Sequence, residues 1–306
     1  MISLAALGND LYSGKTSLPF IAKRRIWYTI AIVVIALSAV LVVKPGLNPG
    51  IDFKGGSEVT VTGVADPSEG PGNDVLADKD LSSGSSVTTM GASSVRIQTN
   101  ELDKAQLDEL ASSLATAYDV DSGSVSATTI GPTWSADVTS KAARGLVIFF
   151  LLVGALIWIY FRTWKMAAAA LLALSHDIIV TIGIYAASGF EVTPATIIGV
   201  LTILGYSLYD TVVVFDKIRE NTSHYEAQTR STYAELANLA VNQTFIRSIN
   251  TSVVGVLPVA SLLVVGAFIL GAGTLRDIAL TLFIGMIAGT LSSIFLATPL
   301  LVDLRS

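Results

Sequence analysis

Six long apolar runs dictate what this chain can become. They cover residues 26–43, 142–160, 166–188, 195–215, 249–270 and 278–302, each long enough to cross a hydrocarbon core of about 30 Å as a helix. Lipid offers no partner for backbone N–H and C=O groups, and a helix satisfies its own within one segment. Only 14% of the 306 residues are charged, against about a quarter in a soluble domain. The expectation is an integral membrane α-helical bundle of six spans, 26–43 alone and 142–302 as a five-helix region. The first run begins after about 25 residues and has no small-residue cleavage site before Lys44-Pro45, so it reads as a retained anchor.

The spacing of the runs is uneven, and the long gap has its own pattern. Residues 44–139 are polar and acidic. Alternation over 57–63 and 94–99 predicts strands, and 125–130 a closing strand. Asn100 is a candidate cap for a helix over 101–118, whose stripe is Leu102, Leu107, Leu110 and Leu114. Residues 66–86, rich in Pro, Gly, Asp and Ser, read as a flexible insertion. Together these predict a small two-layer α/β domain of ferredoxin-like type.

Lys and Arg near the span ends set the orientation. Lys23, Arg24, Arg25, Arg162, Lys165, Lys217, Arg219, Arg230, Arg247 and Arg305 fall on one side, while the short loops 189–194 and 271–277 offer only Arg276. Segments 1–25 and 303–306, both termini and the loop 217–246 are therefore expected on the cytoplasmic side, and 44–139 outside. Within that loop Thr232 and Glu235 form a capping box that opens a helix running into the fifth span near Arg247.

Several chemistries are excluded. There are no cysteines, hence no disulfide, thiolate metal site or cysteine nucleophile. His176 and His224 are too few for a histidine metal site, and Lys23-Arg24-Arg25 is too small a basic cluster for nucleic acid. Tyr209-Asp210 resembles half of an intramembrane aspartyl protease, but Gly271-Ala272-Gly273-Thr274 carries no second Asp. Gly205-Tyr206-Ser207 lacks the second Gly of a serine-hydrolase elbow, and phosphate loops are missing. No enzyme is expected.

The ionisable groups at membrane depth are Asp177 in the third run, Asp210 in the fourth and Arg247 at the mouth of the fifth. A carboxylate there costs roughly 2.5 kcal/mol or more and faces the bundle interior or a water path. Thr196, Gly199, Ile203, Tyr206 and Asp210 share one face of the fourth span, with Ser207 one turn from Asp210. Two readings stay level for Asp210 with Arg247: a proton relay with a switching counter-charge, or an ion pair fixing helix register. For Asp177 the structural reading is favoured, and His176 points about 100° away from it. Gly285 and Gly289 form a GxxxG packing face.

Gly50-Ile51-Asp52-Phe53-Lys54-Gly55-Gly56, after the first run, resembles the signature of the SecD/SecF protein-export family. Residues 175–177, 206–221, 242–252, 277–280 and 292–295 are similar to its other blocks, and the resemblance runs from about residue 20 to 303. Length and a single outside domain point to the SecF side of the family. The resemblance implies a half-transporter of the RND superfamily in a bacterial cytoplasmic membrane. It implies a SecD-like subunit and a SecYEG-type channel as partners, with a translocating polypeptide and membrane lipid around them. It implies use of the proton gradient with no cofactor. By position, Asp210 and Arg247 match the family's proton-pathway pair, and Asp177 matches a His-Asp motif. Tyr209 stands where relatives often carry Asn, and Ser248-Ile249-Asn250-Thr251 replaces a commoner Thr-x-Met-Thr. The competing expectations are a stand-alone RND-type proton-coupled exporter of small molecules or lipids, and a structural scaffold.

Overall fold

In the computed structural model, residues 4–223, 225, 231–266 and 273–305 are described. His224, Arg230, the loop residues Gly271 and Ala272, the end of the fifth run (267–270) and Ser306 lie outside them. The short helix α1 (Leu4–Tyr12) precedes the first long one, α2 (Arg24–Leu41), and the chain leaves α2 through a turn at Val42–Gly46. Among the described residues six helices are long and apolar enough to cross a membrane: Arg24–Gly46, Pro132–Phe161, Trp164–Ser188, Pro194–Asn221, Tyr233–Val264 and Gly273–Arg305.

Between the first and second of these lies the α/β domain. The element order is β1 (Asn48–Pro49), α3 (Ile51–Lys54), β2 (Gly56–Thr62), α4 (Gly70–Asp78), β3 (Ser86–Met90), β4 (Ser94–Thr99), α5 (Lys104–Ala117) and β5 (Val125–Ile130). β2 to β5 form one antiparallel sheet in the order β3-β4-β2-β5, a β-α-β-β-α-β path. Alternation sends Val59, Val61, Val95 and Ile97 to one face, where they meet Leu76, Leu107, Leu110 and Leu114 of the two helices. Each such burial contributes roughly 1.5–3 kcal/mol.

Two expectations here are corrected. Residues 66–86 are not a flexible insertion: they hold α4, whose Leu76 is 2% exposed within the core. Pro71 sits in its first turn, where a missing N–H costs nothing, and the Tyr118 hydroxyl accepts from Gly72 N–H at 3.0 Å. The cap of α5 is Asp103, not Asn100, in a reciprocal box with Gln106.

The remaining helices are α6 (Pro132–Phe161), α7 (Trp164–Ser188), α8 (Pro194–Asn221), α9 (Tyr233–Val264), α10 (Gly273–Ser292) and α11 (Thr298–Arg305), with β6 (Glu191–Val192) between α7 and α8. The second span starts ten residues before its apolar run, because Pro132 opens a helix and nothing breaks it before residue 142. The loop helix and the fifth span are one uninterrupted α9, opened by the expected Thr232–Glu235 box. Small residues let α7, α8 and α10 approach closely. A Cβ at Gly285 would strike Ile203, and one at Gly289 would lie 2.7 Å from Ser207 Cβ. At the end of the bundle remote from the α/β domain, Phe20, Ile157, Phe161, Phe215 and Ile218 form a second core that shares no residue with the first.

Candidate functional site

Local chemistry places the helix that carries the central carboxylate. Thr193 caps α8 by accepting from Thr196 N–H, Pro194 occupies the first turn, and the rest of the helix follows from its apolar run. Of the small face expected from the spacing, Gly199, Ile203 and Ser207 lie against α10, meeting Thr281, Gly285 and Gly289, while Tyr206 and Asp210 turn to α9, where they bond Thr251 O and Ser248.

Asp210 lies about three-fifths of the way along α8 and is 6% exposed. Its Oδ1 accepts from Ser248 Oγ of α9 at 2.6 Å. Its Oδ2 is buried with no hydrogen-bond donor among the described residues. Buried carboxylate oxygens are normally donated to, so Oδ2 is the exception at this site. Arg247 follows Ser248 in reverse order along α9, yet it is exposed and makes no ion pair within 4.0 Å of Asp210. Its guanidinium donates to Tyr209 Oη at 3.4 Å instead. The register-fixing ion pair is thus not formed, and Tyr209, the neighbour of Asp210, is what the arginine holds. Arg247 lines a polar cleft of about 470 Å³ with Asp216, Lys217, Glu220 and Gln243, which brings solvent-accessible charge close to the buried carboxylate.

Asp177 of α7 is 1% exposed and is joined to the same helix: its Oδ2 accepts from Ser207 Oγ at 2.7 Å. His176 Nδ1 lies 3.4 Å from its Oδ1, so the neighbouring ring does reach the carboxylate despite the 100° offset of the two Cα–Cβ directions. Ser207 and Asp210 stand one turn apart on α8, so that helix meets Asp177 across the α7 contact and holds Asp210 across the α9 contact, without a side-chain hydrogen bond between the two carboxyl groups.

Each acid takes one hydroxyl, Ser207 on Asp177 and Ser248 on Asp210, and further hydroxyls pair between the helices. Thr211 Oγ1 and Ser293 Oγ lie 2.9 Å apart, Ser252 donates to Ser248 O at 2.8 Å, and Ser252 and Thr290 hydroxyls touch. A hydroxyl both donates and accepts, so the interface of α8, α9 and α10 is polar around Asp210, although these pairs do not join into one chain between the two acids. A third buried carboxylate, Asp277, expected at the end of the 271–277 loop, lies instead inside α10 as its fifth residue, 5% exposed, and accepts from Thr193 Oγ1 at 3.0 Å. Serine and threonine at three-to-four spacing on the apolar runs is the signal that could have revealed this lining.

The signature segment packs elsewhere. Gly50 N–H donates to Val192 O at 2.9 Å, and α3 spans Ile51–Lys54. Gly56 has φ +140°, and a Cβ there would lie 2.5 Å from Thr99 O, so the second glycine of the pair lets β2 enter the sheet. Asp52 has its carboxyl pushed up, first by burial and then by the nearby Glu191. Phe53 lines an apolar cavity with Leu146 and Ile197.

Comparison with known proteins agrees with this architecture. Residues 110–306 match the family described as protein export membrane protein SecD/SecF, C-terminal, and residues 40–63 match the SecD/SecF GG motif. The chain is 46% identical to protein translocase subunit SecF of Streptomyces coelicolor over 100% of its own length and 81% of the relative's. It is 43% identical to SecF of Mycobacterium tuberculosis H37Rv, over 96% of this chain and 69% of that one. Among solved structures, crystalline SecDF from Thermus thermophilus, described as a translocon-associated membrane protein, aligns with a TM-score of 0.82 at 29% identity. That alignment covers 95% of this chain and 39% of the SecDF chain, so the chain spans about two fifths of the solved protein. A six-helix membrane bundle, the signature glycines and these relatives converge: the chain is a multi-pass membrane protein and belongs to the SecF branch of the SecD/SecF protein-export family.

Proposed function

We propose that this chain is a SecF-type subunit that uses the proton gradient, together with a SecD partner, to drive late steps of polypeptide translocation across a bacterial cytoplasmic membrane. In this reading both termini and the 217–246 loop are cytoplasmic. The α/β domain, a ferredoxin-like fold by its strand order, lies outside, and the bundle is one half of an RND-type transporter beside a SecYEG-type channel. The partner is supported by fused relatives: the SecDF proteins of Thermus thermophilus and Brucella abortus match 57% and 94% of this chain within longer polypeptides. Basic residues at the loop ends support the orientation.

The observation that carries the relay is the asymmetry of Asp210, with Oδ1 held by Ser248 and Oδ2 without a donor. Asp210 is the carrier. Arg247, one residue from Ser248 and now on Tyr209, is the counter-charge that exchanges partners. Asp177 with Ser207 is the second carrier across the α7–α8 interface. Asp210→Asn keeps the size and one acceptor of the side chain but cannot carry the proton. Its proton-dependent export should fall to background while the inserted, folded amount stays normal. Normal export in that variant ends the relay reading, whereas export falling only in proportion to folded protein supports a scaffold. Co-purification with a SecD-like chain separates the export reading from a lone exporter of small molecules or lipids.

A further inference from the structure

We propose that Glu191 is a latch that locks the α/β domain onto the membrane bundle, and that this joint opens and closes during transport. The locking half stands on geometry alone; the opening half rests on the transport reading above.

The two bodies have separate apolar cores with no common residue. What joins them through Glu191 itself is polar and backbone in character, beside the apolar cavity that Phe53 and Val192 line with Leu146 and Ile197; parting them there opens neither core, and relative motion is the ordinary expectation for such an interface. Strand β1, leading into the domain, pairs in parallel with β6 in the α7–α8 loop, Asn48 with Glu191 and Pro49 with Val192. Glu191 is 8% exposed, and its two oxygens are both taken by the sheet of the α/β domain. Arg96 Nη2 donates to Oε2 at 2.5 Å and Gln98 Nε2 to Oε1 at 2.7 Å. Gln98 and Arg96 are themselves set by Glu58 across the β2–β4 ladder, at 3.0 and 4.0 Å.

The same residue grips the bundle. Thr196 Oγ1 of α8 donates to Glu191 O at 3.4 Å, and Thr193 beside it holds Asp277 of α10. Glu191 therefore holds β4 of the domain through its carboxylate and the start of the helix that carries Asp210 through its backbone carbonyl. The signature glycine fits this role: a Cβ at Gly50 would stand 2.8 Å from Glu191 Oε1 and 3.2 Å from Val192 O. Glycine at 50 is what lets the carboxylate seat beneath the strand. A buried pair bonded on every oxygen is firm when closed and fails as a unit when one partner leaves, which is the behaviour of a latch.

Two measurements on the full chain test the two halves. For locking, hydrogen exchange in Glu191→Ala should quicken about tenfold or more in peptides holding Gly50 and Val192, with the β2 and β4 amides unchanged. Glu191→Gln, which keeps the shape and loses the ion pair, should show a smaller change and serves if the alanine variant does not accumulate. Unchanged exchange at the joint in both variants overturns the latch. For opening, the absence of native cysteine allows a clean Pro49→Cys, Val192→Cys pair. Its paired strands lie about 4.8 Å apart, within the Cα range a disulfide spans. Oxidation should stop export and reductant should restore it, with each single variant indifferent to oxidant. Full export by the cross-linked protein overturns the opening, and failure of the pair to cross-link overturns the joint as drawn. Asp210→Asn, with the joint's exchange unchanged, fails or succeeds independently and so tests the relay alone.

Discussion

At the scale of single residues, the chemistry concentrates on what each carboxylate oxygen touches. Ser248 is the donor that the structure assigns to Asp210. A hydrogen bond to a charged group is worth roughly 1.5–3 kcal/mol, so Ser248→Ala should slow proton flux through reconstituted vesicles about tenfold or more with insertion unchanged. Ser248→Thr keeps the hydroxyl and should recover most of the rate. Asp52 makes a pH prediction of a different kind. Burial and Glu191 raise its pKa above the ordinary 3.8, so between the unfolded and folded values the native state holds more proton than the unfolded chain. Stability then falls as pH rises through that window and the penalty persists above it. Asp52→Asn should therefore raise the melting temperature of the α/β domain at pH 7, with the advantage shrinking as the pH is lowered toward 3.8. Equal gains at both pH values would remove ionisation as the cause.

Among elements, the contact of α8 with α10 sets the site, and it depends on residues with no side chain. Ile203 and Ser207 sit over Gly285 and Gly289, which allows the two helices to approach until hydroxyls on both can share one interface. Gly285→Ala puts a methyl group into Ile203 and should cost about 1–3 kcal/mol through overpacking, measurable as a lower unfolding temperature in detergent. Proton flux should fall with it, since Ser207 and its bond to Asp177 ride on the same helix. The GxxxG pair was legible as a packing face from spacing alone. Helix α4 was not, because nine residues beginning Gly-Pro-Gly have the composition of a loop. Only the fit of Leu76 and Gly72 against α5 and Tyr118 makes them helical.

For the whole molecule, two cores imply two partly independent folding units. Leu110 is fully buried in the domain core. Leu110→Ala should weaken that unit by about 2–5 kcal/mol through lost burial and a cavity. The bundle should keep its own unfolding transition, followed by helix loss on heating, while domain opening is followed by exchange of the β2–β4 amides. One shared transition shifting as a unit would show that the joint couples the two more tightly than their separate cores suggest. The Glu191 contacts and the β1–β6 pairing are what would carry such coupling.

The amino-acid sequence by itself determined the number and order of the apolar helices, the strands over 94–99 and 125–130, and the position of Asp210 and Asp177 within their runs. These follow from local periodicity and from the cost of exposing backbone to lipid, which act over one element at a time. It also located Arg247 beside Asp210's side of the bundle, but left relay and ion pair level. Tertiary structure decided what each of these groups faces: Ser248 on Asp210, Tyr209 on Arg247, Ser207 and His176 on Asp177, and Arg96 with Gln98 on Glu191. Apart from the adjacent His176–Asp177 pair, these are hydrogen bonds between residues 30 to 95 positions apart, which depend on how helices rotate and slide against one another. That is set by the sum of many small packing contacts, and no local pattern encodes it.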